Sequence, residues 1–127
     1  MKVEPKFFYC KHCGKVITMV VNANTPTICC GEPMVELIAN TSDGAIEKHV
    51  PIVTVIDDIV EVVVGSIAHP MFPEHFIQWI YLATENGGQL KKLIPGSEPK
   101  ASFVVKKDKP FAVYEYCNLH GLWKADI

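Results

Sequence analysis

The sequence predicts an all-β protein, a small metal-binding segment followed by a seven-stranded antiparallel β-sandwich. Three observations carry this. Four of the five cysteines lie within the first thirty residues. From Ala45 onward, short β-branched and aromatic runs alternate with turn residues about every ten positions. No long helical period appears anywhere in the chain.

Composition sets the bounds. A chain of 127 residues suits one domain, or one domain with a small appendage. With 49% hydrophobic residues it can build a core. A formal net charge of −2 argues against a nucleic-acid binder driven by phosphate contacts. No uninterrupted apolar run approaches ~18 residues, so no membrane span is expected. The opening Met1-Lys2-Val3-Glu4-Pro5-Lys6 lacks the apolar core and cleavage site of a secretory signal, and a cytoplasmic location is expected. An odd cysteine count speaks against a closed disulfide framework. In a reducing compartment such cysteines are more often metal ligands or catalytic groups.

Residues 7–14 read Phe-Phe-Tyr-Cys-Lys-His-Cys-Gly. Cys10 and Cys13 form a knuckle in which two thiolates approach one ion from a tight turn. Gly14 can close it in the left-handed conformation. Val16 to Val21 is a short apolar strand, and 22–26 reads as a turn. Cys29 and Cys30 are adjacent. Successive side chains of a regular strand point to opposite faces, so both sulfurs reach one ion only if the backbone bends there, which Gly31 permits. A disulfide between neighbours is strained, and four sulfurs on one metal is the better reading. Iron and zinc both accept tetrahedral thiolate. His12, inside the knuckle, reads as an exposed spacer. A segment of about forty residues seldom folds alone without a metal, disulfides or a partner. Its metal is expected to contribute to folding, and a second copy from a partner chain to share its core.

The polar stretch 38–44 is the natural boundary, giving domains 1–38 and 39–127. Strands are expected near 47–56, 59–66, 76–84, 89–94, 100–106, 111–117 and 121–126. Asp57-Asp58, Asn86-Gly87-Gly88, Pro95-Gly96-Ser97 and 107–110 supply turns. Phe103 and Val105 alternate, as do Ala112, Tyr114 and Tyr116. Val62-Val63-Val64 reads as a strand buried on both sides.

The sandwich carries a second set of soft-metal ligands. His49 lies in Glu47-Lys48-His49-Val50-Pro51, at the mouth of the first sandwich strand. His69 and His75 flank a loop stiffened by Pro70 and Pro73. Cys117 and His120 share a Cys-x-x-His loop ended by Gly121. A lone histidine is usually a surface or satisfied core residue. Here four histidines and a cysteine sit in ligand-like contexts, against a bland reading of unrelated polar residues and a buried thiol. Zinc sites usually close with four ligands, or with three and a water. Four imidazoles and a thiolate suit iron that changes oxidation state and keeps a position open.

These residues together resemble the desulfoferrodoxins, the two-iron type of superoxide reductase. The matching motifs are Cys10-x-x-Cys13 with Cys29-Cys30, Glu47-Lys48-His49-Val50-Pro51, His69-Pro70, His75, and Cys117-Asn118-x-His120-Gly121. They span nearly the whole chain and depart from the family pattern at no ligand position. The resemblance implies a desulforedoxin-like domain with iron in four cysteine sulfurs, an immunoglobulin-like sandwich carrying the second iron, and a homodimer. It implies four equatorial nitrogens from His49, His69, His75 and His120 and an axial sulfur from Cys117. The implied reaction is one-electron reduction of superoxide to hydrogen peroxide without dioxygen release, fed by rubredoxin or a similar small redox protein.

Within that reading Lys48 attracts the anion or orders the water that delivers a proton, against the plainer role of a solvated lysine. The backbone N–H groups of 118–120 tune the Cys117 sulfur. The family supports Glu47 as sixth ligand of the ferric state, against an ordinary exposed acid. Rival readings are a zinc-ribbon scaffold, which uses none of the second ligand set, an iron electron carrier with both sites closed, and a superoxide dismutase on the same site.

Overall fold

The structure, a computed structural model, describes residues 2–127. The chain folds into two compact units, Glu4–Ile38 and Ala39–Ile127, the latter joined by Lys2 and Val3.

The small unit is built from two- and three-residue strands. β1 (Phe7–Tyr9) pairs antiparallel with β2 (Val16–Thr18) and β5 (Val35–Glu36), and β3 (Ile28–Cys29) pairs with β4 (Glu32–Pro33). The second strand is shorter than its apolar run suggests. Val20 and Val21 are fully exposed and no partner strand extends to them. The knuckle is closed by Cys10 N–H donating to Lys15 O and Gly14 N–H to Cys10 O, both 2.9 Å. Gly14 takes φ +79°, the left-handed turn expected of it. At the second cysteine pair the bend lies at Cys30 (φ 52°) as well as Gly31 (φ 78°). That bend turns both sulfurs to one side. Both cysteines are free thiols.

The larger unit opens with a short helical turn, α1 (Ile46–His49). Seven antiparallel strands follow: β6 (Pro51–Ile56), β7 (Ile59–Val64), β8 (Ile77–Thr84), β9 (Gly87–Lys92), β10 (Lys100–Val104), β11 (Pro110–Cys117) and β12 (Gly121–Asp126). They form two sheets, ordered β10-β7-β6 and β12-β11-β8-β9. Val60, Val62, Val64, Ile77, Ile80, Leu82, Phe103 and Val113 pack in the core with Cys117.

Three expectations are corrected. The first sandwich strand begins at Pro51, not 47. Residues 46–49 close a helical turn through Lys48 N–H to Ala45 O (3.1 Å) and Val50 N–H to Ile46 O (3.0 Å). Pro51 lacks the donor needed to extend that turn. Val62-Val63-Val64 is buried on one face only, since Val63 is 42% exposed and the strand obeys its period of two. Gly87 and Gly88 lie inside β9, opposite Thr84 and Ala83, leaving Glu85-Asn86 as the turn. No helix among the described residues is long and apolar enough to cross a membrane.

Glu115 is fully buried in β11, and neither carboxylate oxygen has a hydrogen-bond partner among the described residues. Burial pushes its pKa well above the carboxylate range. The carboxyl holds its proton more tightly in the fold than in the unfolded chain. Its contribution is therefore fully present below the unfolded value, about 4.3, and is lost as pH rises toward the folded one. Glu115→Met keeps the volume and removes the unpaired group. Denaturant titrations are expected to show a gain of about 1–3 kcal/mol at pH 7 and a flatter fall of stability above about pH 5. A loss at pH 7 would mean that the carboxyl contributes an interaction worth more than its burial costs.

Candidate metal centres

In the small unit the sulfurs of Cys10, Cys13, Cys29 and Cys30 lie within 4.8 Å of one another. Cys13 Sγ is 3.6 Å from Cys29 Sγ, and Cys29 Sγ 4.0 Å from Cys30 Sγ. An ion with metal–sulfur bonds of about 2.3 Å needs tetrahedral edges of about 3.8 Å, so the spacing fits one. The electrostatics fit as well. The backbone N–H of Cys13 holds the Cys10 thiol down to about 6. Cys30 is pushed up to about 12, first by its contact with Cys10. The pocket stabilises one thiolate and resists the next, and a cation removes that conflict. His12 is exposed, as its spacer reading expects, but it reaches Glu32 at 3.0 Å. An exposed pair of this kind contributes little.

In the sandwich, His49, His69, His75, Cys117 and His120 offer ligand atoms within 4.8 Å of one another. Each comes from an element end. His49 closes α1, His69 and His75 lie on the β7–β8 connection, Cys117 ends β11, and His120 sits in the β11–β12 turn. The four rings form a closed cycle. Centroids are 4.7 Å apart for His49–His69, 4.8 Å for His69–His75, 5.0 Å for His75–His120 and 4.8 Å for His120–His49. Each neighbouring pair is edge-on, at 72–84°.

Hydrogen bonds on the outer side of this cycle fix the tautomers. His49 Nδ1 donates to Ala45 O and His69 Nδ1 to Pro70 O, both at 2.7 Å. Their Nε2 atoms are then bare lone pairs, yet they face each other at 3.1 Å. His49 Nε2 is also 3.1 Å from His120 Nδ1, and His75 Nε2 is buried with no partner among the described residues. Protonation does not relieve this. Burial pushes His69 down to about 4 and lowers His49 and His75 too. Neutral imidazoles whose lone pairs converge fit a cation. Four nitrogens placed at right angles about an ion, at about 2.1 Å, lie about 3.0 Å apart, close to the spacing seen.

Cys117 Sγ completes the set, 3.7 Å from His120 Nδ1. Burial raises its pKa, opposed by N–H donors from Leu119 and His120. These are two of the three 118–120 amides that the sequence points to; the Asn118 N–H donates to Phe76 O instead, at 3.3 Å. His49, His69 and Cys117 are buried, whereas His75 and His120 are half-buried, so the site opens on their side. Glu47 and Lys48 are exposed on α1. Lys48's charge reaches His49 and His75, lowering both.

Several supporting residues escape sequence reasoning. Trp123 stacks on His49 (centroids 4.9 Å) and donates Nε1–H to His120 O at 3.0 Å. Gly44 leaves room beside the same rings, since a Cβ there would meet His49, Trp123 and His120 at 3.2–3.3 Å. The Asn118 side chain joins the two ligand loops, accepting from Phe76 N–H and donating to Glu74 O, both 3.0 Å. Phe72 and His75 exchange backbone hydrogen bonds at 3.0 Å, which close the proline-bounded loop. Parity along β12 points Trp123 inward, but nothing local pairs it with His49.

The sequence model of the desulfoferrodoxin family matches residues 41–126, which include all five of these donors. The chain belongs to the desulfoferrodoxin family. The desulfoferrodoxin of Nitratidesulfovibrio vulgaris is 45% identical over 126 residues, covering 99% of each chain. That of Clostridium acetobutylicum is 42% identical over the full length of both. Among solved structures, the superoxide reductase of Treponema pallidum superposes with a TM-score of 0.81 at 39% identity, covering 97% of this chain and 99% of that one. A superoxide reductase of Giardia intestinalis matches 64% of this desulfoferrodoxin and 97% of its own length, with a TM-score of 0.56 at 33% identity.

Proposed function

We propose that this desulfoferrodoxin is a superoxide reductase, with iron held by His49, His69, His75, His120 and Cys117. The observation that carries the reading is the cycle of four imidazoles with converging ring nitrogens beside a buried thiol. The structural likeness to a superoxide reductase across 97% of the chain supports it. Ferrous iron held by these residues would supply the one electron that, with two protons, turns superoxide into hydrogen peroxide.

The protein's own groups do the rest. His49, His69, His75 and His120 would hold the iron through ring nitrogens and Cys117 through its sulfur. The N–H donors of Leu119 and His120 orient the sulfur and moderate its charge. The half-buried side at His75 and His120 admits a small anion. Lys48, whose charge already acts on His49 and His75, draws that anion in and orders the water that delivers the first proton. Glu47, exposed beside His49, would supply a further carboxylate donor to the oxidised iron.

Cys10, Cys13, Cys29 and Cys30 would hold a second iron through four sulfurs, which would leave no place for substrate. It serves as a structural staple or an electron relay. The protein acts as a cytoplasmic homodimer that receives electrons from rubredoxin or a similar small redox protein. Counting peroxide and dioxygen formed per superoxide tests the central assignment.

A further inference from the structure

α1 is one helical turn of four residues, too short to hold its own shape. It carries Glu47 and Lys48 next to ligand His49, so their reach is set by whatever the turn rests on. It rests on the connection leaving β7. Gly65 is buried there. A Cβ on Gly65 would stand 2.5 Å from Glu47 O, 2.8 Å from the Lys48 carbonyl carbon and 3.0 Å from that of Glu47. Real Cβ atoms do not approach backbone so closely. Only glycine lets the Glu47–Lys48 peptide lie flat against this strand end.

The next two residues grip the same carbonyl. Ile67 N–H donates to Glu47 O at 2.9 Å and Ser66 Oγ–H at 3.2 Å, using both lone pairs of that oxygen. Two residues further on comes His69, whose own N–H returns to Val64 O at 3.1 Å. One short connection thus seats the turn and delivers a ligand.

We propose that Gly65, Ser66 and Ile67 are positioning residues, a seat that fixes Glu47 and Lys48 relative to the histidine–cysteine site. The inference rests on the proposed reading that Lys48 and Glu47 act on substrate. None of the three touches a ligand atom of the site. They act through the Glu47 carbonyl.

The test uses the iron-loaded full chain with Gly65→Ala and Ser66→Ala, each alone and combined with Lys48→Ala. Two readouts are taken beside iron content: amide hydrogen exchange of peptides covering 46–50 and 65–69, and the second-order rate with superoxide at low and high ionic strength. Lys48→Ala alone is expected to slow the reaction about tenfold and to flatten its salt dependence. Gly65→Ala is expected to keep its iron and to speed exchange in both peptides at least about tenfold. Its rate is expected to fall at least about fivefold toward that of Lys48→Ala, with the salt dependence flattened. Ser66→Ala, which folds even where Gly65→Ala does not, is expected to show the same pattern at about threefold. In the Lys48→Ala background neither change costs much further rate, because both act through the same side chain.

Unchanged exchange would overturn the seat. So would faster exchange with a normal rate and salt slope, or losses that multiply with that of Lys48→Ala. If Lys48→Ala itself reacts at the normal rate, the role of Lys48 falls and the proposal with it. That outcome is distinct from a normal Gly65→Ala beside an impaired Lys48→Ala, which sinks only the seat.

Discussion

His69→Ala is expected to empty the histidine–cysteine site and reduce superoxide reduction to below about 1% of normal. His69 is 3% exposed, its Nδ1 is committed to Pro70 O, and its Nε2 meets that of His49 at 3.1 Å. Removing it opens the cycle of four rings, and nothing polar is at hand to replace the lost nitrogen. Loss of a residue that merely supports a ligand typically costs tenfold to about a hundredfold in metal affinity. Loss of a buried ligand exceeds that. The sandwich core does not include His69, so the variant is expected to fold. Iron content and absorption of the oxidised protein are the readouts, with circular dichroism as the control for folding. Full iron occupancy with a normal rate would remove His69 from the site.

Cys13→Ser carries the second large effect, confined to the other unit. The sulfur cluster joins the 10–13 knuckle to the 29–30 bend, and the strands of this unit are only two or three residues long. A segment of this size has little core of its own, so the metal's binding free energy is in large part its folding free energy. Losing one thiolate is expected to release that ion and open the segment 4–38 to proteolysis, while superoxide reduction continues at the sandwich site. Iron analysis falling by half, limited proteolysis and the reduction rate report the three parts of this expectation. Complete loss of activity would contradict the view that the four-cysteine centre is a staple or relay.

Both effects depend on residues whose chemistry is legible in the sequence. Thiolates and imidazoles are few in this chain, and their spacing next to Pro70, Pro73, Gly14 and Gly121 marks them as held rather than scattered. The structure gathers all nine into two groups. The sandwich strands were legible for a similar reason. Alternation between turn residues is local information, and β8, β11 and β12 fall within a residue of their expected bounds.

What was not legible depends on partners distant in sequence. Residues 46–49 run directly into the apolar strand that starts at Pro51, yet they coil because the connection leaving β7 binds the Glu47 carbonyl. Val63 sits in an apolar run but faces outward, because the register of β7 between β6 and β10 decides its side. Glu115 shares parity with Val113 and Cys117, so its inward direction was readable. Its complete burial without a partner was not, since charged residues rarely end so. Trp123 reaches His49 across the fold, a contact that no spacing encodes.

The central claim is that the site reduces superoxide and does not dismutate it. The direct measurement is product stoichiometry. The iron-loaded protein is reduced anaerobically and mixed with superoxide, and peroxide and dioxygen are counted. One peroxide for each superoxide consumed, with no dioxygen, is the expected result. One dioxygen and one peroxide for every two superoxides consumed would make the same site a dismutase. No reaction with iron confirmed at the histidines would leave an electron carrier, and either result would contradict a superoxide reductase.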